Sequence, residues 1–329
     1  MKNKKKIILF ILMIVLSLNL IQCGEKNIEE YGGKDLILKK SNVYLIAKST
    51  DSSFWNSVYA GASAASTEYN MNLIFEGPEN EEDYITQNEM IRNAVKEKAD
   101  VLIISAVDYQ KNAKMINQAA KKGIDVIVID SDVNSEKVKC RIGTDNYQAG
   151  CKAAEAALWS KKEKLNIGIV NFDRITENGQ SREKGFRESV VKDERVKVVD
   201  SVNIPSSIET AKEETKKMMS DHPEINTIVA FNEIISLGAA QAIEEMGIQD
   251  LTTVVAFDSH VSCIDFLETG VIDALIVQNP YAMGYLAVEN AYKLLNGKNN
   301  IEDINTSVTI ITKENMYSEE GQRILFDFE

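Results

Sequence analysis

Short, strongly hydrophobic runs alternate along the chain with longer stretches in which apolar residues recur at helical spacing. The short runs are rich in β-branched residues and apolar at consecutive positions, which is typical of strands covered on both faces. The predicted strands are Val43–Ala47, Leu73–Phe75, Val101–Ile104, Val126–Ile129, Ile167–Val170, Val196–Val199, Thr227–Ala230, Thr253–Phe257 and Ala274–Val277. The helices predicted between them include Trp55–Tyr69, Tyr84–Lys98, Asn112–Lys122, Tyr147–Trp159, Glu209–Ser220, Ser236–Met246 and Tyr281–Leu295.

This alternation predicts an α/β protein with parallel, doubly wound sheets. The strands are too many for one five- or six-stranded unit, and 329 residues are enough for two lobes that each bury a core. The division is expected near Thr144-Asp145, after the short stretch 139–143. Because no structureless linker intervenes, short crossing strands are expected to join the two parallel-sheet lobes.

The first two dozen residues differ from the rest of the chain. A lysine-rich start is followed by an apolar run from Ile7 to Ile21. This run is shorter than the roughly 20 residues that a membrane-spanning helix needs, so it indicates a secretory signal. Cys23 follows it and resembles the acylated cysteine of bacterial lipoproteins. An uncleaved N-terminal anchor, with Cys23 incidental, is the alternative.

In the lipoprotein interpretation, residues 1–23 form the signal and residues 24–40 form a flexible stalk. The protein is then exported to the cell surface or periplasm and lipid-anchored to the membrane through Cys23. Both interpretations place the folded part of the chain outside the cytoplasm.

Composition and motifs exclude several kinds of function. The net charge of −13 is unsuited to a nucleic-acid partner, which requires clustered Lys and Arg. Cys140, Cys151 and Cys263 lie at no metal-ligand spacing and are interpreted as buried free thiols. The chain contains neither a GxxxxGK[ST] loop nor a GxGxxG turn after a strand. No metal and no cofactor are therefore expected.

An enzymatic role is not expected either. The chain has two histidines, His222 and His260, which leaves little scope for acid–base catalysis. A glycosidase-like pair formed by Asp130 and Asp258 is the enzymatic alternative. A sugar-turnover assay separates this alternative from simple binding.

Polar side chains gather where the predicted strands end. Ligands of open α/β sheets bind outside the carboxyl ends of the strands, so these side chains are candidates for one site. A single Asp or Asn at such a position also serves as an ordinary helix cap, and only the set as a whole indicates a site. Carboxylates, cations and amides together suit a polyhydroxylated solute, with Phe54 and Trp55 available for the apolar face of a sugar ring. The candidate ligand-binding residues are Lys48, Phe54, Trp55, Ser105, Asp130, Arg182, Asn232, Asp258 and Gln278.

Six ordered blocks across the chain resemble the sugar-binding branch of the type I periplasmic binding proteins, the ribose-binding protein and its relatives. The blocks are Ser52-Ser53-Phe54-Trp55 with Gly61, Val126–Asp130, Gly143–Asn146 with Gly150, Arg182–Phe186, Phe231-Asn232-Glu233 with Leu237–Ala239, and Val255–Asp258 followed by Gln278-Asn279-Pro280. The resemblance implies that Asp130, Arg182, Asn232, Asp258 and Gln278 contact the ligand. It also implies three hinge crossings, near Thr144-Asp145, near Gln278-Asn279 and around Ser307–Thr312.

These crossings divide the folded chain into a first lobe, residues 41–144 plus 279–308, and a second lobe, residues 145–278 plus 309–329. The resemblance implies an extracytoplasmic binding protein of an ABC-type importer, a monomer that closes around a monosaccharide or similar polyol. A partner role for a membrane sensor kinase or chemoreceptor is the alternative.

The chain departs from the ribose binders at three places in the site. Ser131 stands where they carry an Arg after the first-lobe Asp, and Lys48 stands where they carry a Ser. We therefore expect Lys48 to replace the missing charge, as in relatives with a Lys-containing first loop, some of which bind autoinducer-2. The aromatic residue that relatives place after a second-lobe strand is absent from the loop 204–207.

Overall fold

The computed structural model describes residues 40–172, 174–298 and 300–326. The predicted signal 1–23, the predicted acylation site Cys23 and all but the last residue of the predicted stalk 24–40 lie outside the described residues. The strands are β1 Asn42–Ile46, β2 Asn72–Glu76, β3 Val101–Ile104, β4 Asp125–Ile129, β5 Cys140–Thr144, β6 Leu165–Phe172, β7 Val196–Ile204, β8 Thr227–Ala230, β9 Thr253–Phe257, β10 Ala274–Val277, β11 Ile304–Thr306 and β12 Thr309–Thr312.

The helices follow the strands in regular alternation. They are α1 Ser53–Glu68, α2 Tyr84–Lys96, α3 Ala113–Lys121, α4 Asn146–Leu158, α5 Glu177–Val190, α6 Ile208–Asp221, α7 Glu233–Met246, α8 Val261–Thr269, α9 Pro280–Leu295 and α10 Glu319–Leu325. Side-chain caps begin several of them, and glycines in the left-handed conformation end α7 and α8 at Gly247 and Gly270.

Two six-stranded sheets form the centres of two lobes. The first sheet has the order β11-β5-β4-β3-β1-β2, and the second has the order β12-β10-β9-β8-β6-β7. Every pairing is parallel except β10 with β12. The central strands β3, β8 and β10 are buried at every residue because helices cover both faces of each sheet. The prediction of an α/β fold with two doubly wound lobes is confirmed.

Strand β12 is antiparallel, whereas the sequence predicted parallel sheets, because the chain enters the second sheet from the cleft side. The parallel strands of both sheets point their carboxyl ends toward the cleft between the lobes, and β11 does so in the first lobe. The chain leaves β11 at the cleft, crosses it and enters the second sheet moving away from the cleft. It must therefore run against β10.

In both lobes, glycines allow neighbouring helices to come into close contact. In the first lobe, a Cβ on Gly61 of α1 would lie 2.0 Å from the Tyr281 carbonyl oxygen of α9. In the second lobe, a Cβ on Gly150 of α4 would lie 2.0 Å from the Arg182 carbonyl oxygen of α5. These contacts set the position of two helices, α1 and α5, that carry candidate site residues.

Some elements differ from their predicted extent. Strand β7 continues to Ile204, beyond the predicted Val199, because it pairs with β6 as far as Phe172. Helix α10 has no counterpart among the predicted elements. Cys140, Cys151 and Cys263 are free, and Cys151 is only partly buried. Within residues 40–172, 174–298 and 300–326, no helix has the length and apolar character needed to cross a membrane.

Candidate ligand-binding site

The carboxyl ends of the parallel strands of both sheets face one small cavity between the lobes. Eight of the nine sequence-predicted residues line it: Lys48, Phe54, Trp55, Asp130, Arg182, Asn232, Asp258 and Gln278. Ser105 lies behind them and donates a hydrogen bond of 2.9 Å to Asp130. The cavity also has lining residues that the sequence analysis missed, namely Ser52, Glu81, Phe172, Asn178, Glu233 and Ile234.

The space between these side chains is small. It measures about 30 Å³, whereas small-molecule pockets commonly enclose at least about 300 Å³. Side chains of the two lobes touch across it, as when the Asn178 amide donates to Asp130 at 3.0 Å. A sugar can therefore reach these groups only if the lobes separate.

The two aspartates occupy equivalent positions in the two sheets. Asp130 follows β4 and Asp258 follows β9, both in the left-handed region with φ of 55° and 68°. Asp is one of the few residue types that adopts this conformation readily. Each backbone N–H donates to the neighbouring strand, to Ile142 and Ile276 respectively. The left-handed turn directs each carboxylate into the cleft.

Arg182 is the most completely bonded cation of the site. It lies on α5, is 1% exposed, and its guanidinium donates to Asn146, to the Phe231 carbonyl and to Gln278 at 2.7–2.9 Å. The same Gln278 donates to Asp258 at 2.7 Å. Burial raises the pKa of Asp258 to about 6, although Arg182 and Gln278 act in the opposite direction.

Lys48 supplies the second cation, at the end of β1. Its ammonium lies 3.4 Å from Glu81 and 3.8 Å from Asp130, and the side chain is 3% exposed. It also lies 5.2 Å from the ring centroid of Phe172 in the second lobe. Ser131, which stands where ribose binders have Arg, is fully buried and does not line the cavity.

Aromatic side chains form the apolar part of the wall. Phe54 and Trp55 meet edge to face with ring centroids 5.1 Å apart, and the Trp55 indole donates to Glu81 at 2.9 Å. Phe172 at the end of β6 faces them from the second lobe. A second-lobe aromatic is thus present, from β6 and not from the loop 204–207.

Asn232 shows how the capping and binding interpretations combine. Its side-chain oxygen accepts from the Ile235 N–H and caps α7, while its amide donates to Ser206 at 3.1 Å. The cap was the simpler explanation for a lone Asn at a strand end. The residue serves that role and still lines the cavity.

Some of the lining residues that the sequence analysis did not predict have a recognisable signal in the sequence, and others have none. Phe172 could have been found by following β6 to its last residue, and Glu233 adjoins the predicted Asn232. Glu81 lies in an acidic loop, 79–83, that resembles an ordinary solvated turn. No group of three or more His, Cys, Asp or Glu side chains among the described residues is arranged to hold a metal ion.

Two α/β lobes that turn the carboxyl ends of their strands toward one buried polar cleft define a two-lobed ligand-binding protein. Residues 43–299 match the periplasmic binding protein domain family, so the chain belongs to that family, in its type I sugar-binding branch. The resemblance read from the sequence is thereby confirmed.

Individual relatives agree with this assignment. The ribose import binding protein RbsB of Bacillus subtilis (strain 168) is 22% identical over 276 residues, covering 84% of this chain and 88% of its own length. The crystal structure of a carbohydrate transporter solute-binding protein from Agrobacterium radiobacter, in complex with D-arabinose, is 28% identical with a TM-score of 0.85. It covers 88% of this chain and 100% of its own length. The XylFII–LytSN complex is 26% identical with a TM-score of 0.76, over 84% and 99% respectively.

Proposed function

We propose that the protein binds a monosaccharide or a similar small polyol between its lobes and delivers it to an ABC-type importer. The observation that carries this proposal is the pairing of Asp130 and Asp258 from opposite lobes beside the buried Arg182. Carboxylates accept from neighbouring hydroxyls and a guanidinium donates to them, which matches the alternating donors and acceptors of a sugar.

The rings of Phe54, Trp55 and Phe172 complete this chemistry. A pyranose or furanose has polar edges and apolar C–H faces, and an aromatic ring can cover such a face. The polar groups then contact the hydroxyls at the edges. An arrangement of this kind favours a small polyhydroxylated ligand over a peptide or a purely apolar molecule.

Binding requires the lobes to open and close. We take the moving bodies to be residues 41–144 with 279–308 and residues 145–278 with 309–329. Three crossings join them, so opening is a hinge motion. Ligand stabilises the closed form only through contacts that the open form lacks, and residues from both lobes provide such contacts.

Delivery to an importer agrees with the names of the relatives, which include import binding proteins. We propose export and acylation at Cys23, because the apolar run ends there. Mass spectrometry of the mature protein is expected to show a lipid-bearing Cys23 at its N-terminus. An intact Met1 without an acyl group would contradict this expectation.

A second candidate role is presentation of the ligand to a membrane sensor. The similar XylFII was solved in complex with LytSN, so a relative of this fold docks onto another protein. A pull-down from membranes distinguishes the roles, because a permease is the expected partner in transport and a sensor is the expected partner in signalling.

The proposed binding function is tested with a panel of neutral sugars that includes D-ribose, D-allose, D-arabinose and D-galactose. Calorimetry is expected to show binding of at least one sugar, and that sugar should be recovered chemically unchanged. At about 100-fold excess over Kd, it should add about 2.7 kcal/mol to the free energy of unfolding. Failure of every sugar and polyol to bind, or turnover of a bound sugar, would contradict the proposal.

A further inference from the structure

Glu233 joins the two lobes directly, through hydrogen bonds that involve no ligand. It is the first residue of α7 in the second lobe, and its side chain reaches the start of α1 in the first lobe. One carboxylate oxygen accepts from the Ser53 N–H and the other from the Phe54 N–H, both at 3.0 Å. The first N–H groups of a helix have no partner within the helix, so a residue of the opposite lobe satisfies two of them.

Glu233 also lines the cavity and lies next to lining residues of both lobes. Its backbone N–H lies near the carboxylate of Asp258 in the second lobe and helps to lower the pKa of that carboxyl. Its side chain holds the turn of α1 from which Phe54 and Trp55 extend into the cavity wall. Any separation of the lobes must break the two contacts to α1. Glu233 is therefore placed to couple the aromatic wall of one lobe to the aspartate of the other.

We propose that Glu233 is a positioning residue for ligand binding, which holds Phe54 and Trp55 in place on closure and makes closure take up a proton. This inference rests on the proposed closure of the lobes around a ligand. It adds a residue whose role is to fix the geometry of the closed form.

The groups that face the carboxyl of Glu233 account for the proton uptake. Burial has the largest effect and raises its pKa to about 7, with Asp258 and Glu81 acting in the same direction. The N–H groups of Ser53 and Phe54 act in the opposite direction and do not compensate fully. In open lobes the side chain returns to water, where a Glu pKa is about 4.3.

The sign of the effect follows from these two states. The closed form binds a proton more tightly than the open form, so closure becomes more favourable as the pH falls through 7. With a pKa of about 7 in the closed form, Glu233 alone is expected to raise affinity about tenfold from pH 8 to pH 6. Asp258, with its pKa raised to about 6, adds only about twofold over the same interval.

The first experiment measures the affinity of the tightest-binding sugar of the panel between pH 8 and pH 6 by calorimetry. Glu233→Gln removes the titrating group while keeping its size, so the combined pH effect of about twentyfold should shrink to about twofold, the contribution of Asp258. Glu209→Gln is the control, because Glu209 lies in the first turn of α6, is largely exposed and contacts Lys212 of its own lobe. This control should keep the wild-type profile. A flat wild-type profile, or an unchanged slope in Glu233→Gln, overturns the proton coupling.

The second experiment needs no ligand. Hydrogen exchange at the Ser53 and Phe54 amides, corrected for the intrinsic pH dependence, is compared in the wild type, Glu233→Ala and Glu209→Ala. Both amides should exchange at least about fivefold faster in Glu233→Ala only, because their acceptor is lost. Equal exchange in all three proteins, without ligand and with any sugar that binds, overturns the positioning role. If no sugar binds, the proposed function fails and this experiment alone decides the role of Glu233.

Discussion

The two lobes place an aspartate at the same point of their sheets and surround it with different partners. In the second lobe, Asp258 adjoins a network of planar groups, Arg182 and Gln278, whose hydrogen bonds measure 2.7–2.9 Å. In the first lobe, Asp130 lies 3.8 Å from the ammonium of the flexible Lys48, and the guanidinium of Arg182 approaches it from the other lobe only to 4.0 Å. A planar guanidinium fixes direction, whereas an ammonium is a point charge on a flexible stem.

This difference suggests a division of roles between the lobes. We interpret the second lobe as the more rigid side of the proposed site, because its polar groups are already hydrogen-bonded to one another. The first lobe presents a cation held by longer contacts to Glu81 and Asp130, which can adjust to different hydroxyl arrangements. We therefore expect changes in the second lobe to abolish binding and changes in the first lobe to alter selectivity.

The largest effect is expected for Arg182→Ala. The change removes the three hydrogen bonds of a buried cation and takes one donor from the side-chain oxygen of Asn146 and one from that of Gln278, which keeps its bond from Thr144. A ligand hydroxyl bonded to the guanidinium would lose a contact worth about 1.5–3 kcal/mol, and the wall of the cavity would lose its hydrogen-bonded support, so affinity should fall about 100-fold or more. Calorimetry measures this. Arg187→Ala is the control, since Arg187 is on the same helix but pairs with Glu183 outside the cavity. Equal affinities in both variants would place the site elsewhere.

Asp258→Ala should follow, with a loss of about 10- to 100-fold. The variant loses the acceptor for the Gln278 amide and places Ala at a φ of 68°, where only a few residue types are comfortable. Circular dichroism checks that the protein remains folded. If Asp258→Ala weakens binding less than Asp130→Ala does, the proposed rigidity of the second lobe is wrong.

The next prediction concerns the packing of helices α4 and α5, and its expected effect is smaller than the losses of affinity given above. In Gly150→Ala, the new Cβ would approach the Arg182 carbonyl oxygen to 2.0 Å, so α4 and α5 must separate. Overpacking of this kind lowers the free energy of unfolding by about 1–3 kcal/mol, which urea denaturation measures. Affinity should also fall, because Arg182 moves with its helix. Ala64→Ser at an exposed position of α1 is the control and should change neither property.

Lys48→Ser tests the first lobe and should change affinity by about tenfold or less for any one sugar. A hydroxyl neither carries the charge of Lys48 nor reaches as far, so the order of affinities within the sugar panel should change. Calorimetry with at least three panel sugars measures that order. An unchanged order would show that Lys48 has no part in selectivity.

The smallest expected effect is the change in tryptophan fluorescence and radius of gyration when the lobes close. The chain has two tryptophans, and Trp55 lines the cavity while Trp159 is about half exposed at the end of α4. In Trp159→Phe, ligand should shift the emission of Trp55 to the blue and reduce the radius of gyration in solution scattering. In Trp55→Phe, the emission of Trp159 should not respond. A bound protein with an unchanged radius and unchanged Trp55 emission would have a rigid site.

The sequence supports the central features of the fold because these depend on local patterns. Buried strands such as Val101–Ile104 are apolar at every position, and the alternation with helices implies parallel sheets. Helix α10 was missed because it is short and polar outside its few buried residues. The antiparallel direction of β12 was not predicted. It depends on how many times the chain has crossed the cleft, and a local sequence pattern does not indicate that number.

The same reasoning applies to the cavity lining. The polar residues at strand ends could be anticipated, because the sheet brings all strand ends to one edge. Glu81 and Asn178 come from a loop and from the first turn of a helix, and their distance from the cavity depends on tertiary packing. Lys48 was anticipated as a cation, but its contact with Phe172 of the other lobe follows only from the three-dimensional structure.

The return of the chain to the first lobe has a consequence for how the protein folds. The Arg141 N–H donates to Asp303, 162 residues further along the chain, and Tyr285 donates to Glu68 across 217 residues. Contacts between such distant residues slow folding, because a long loop must close before they form. The first lobe can gain its edge strand β11 and the helix α9 only after nearly the whole chain has been synthesised. A slow-folding chain of this kind remains unfolded for longer during synthesis, which would favour the proposed export of the chain before it folds.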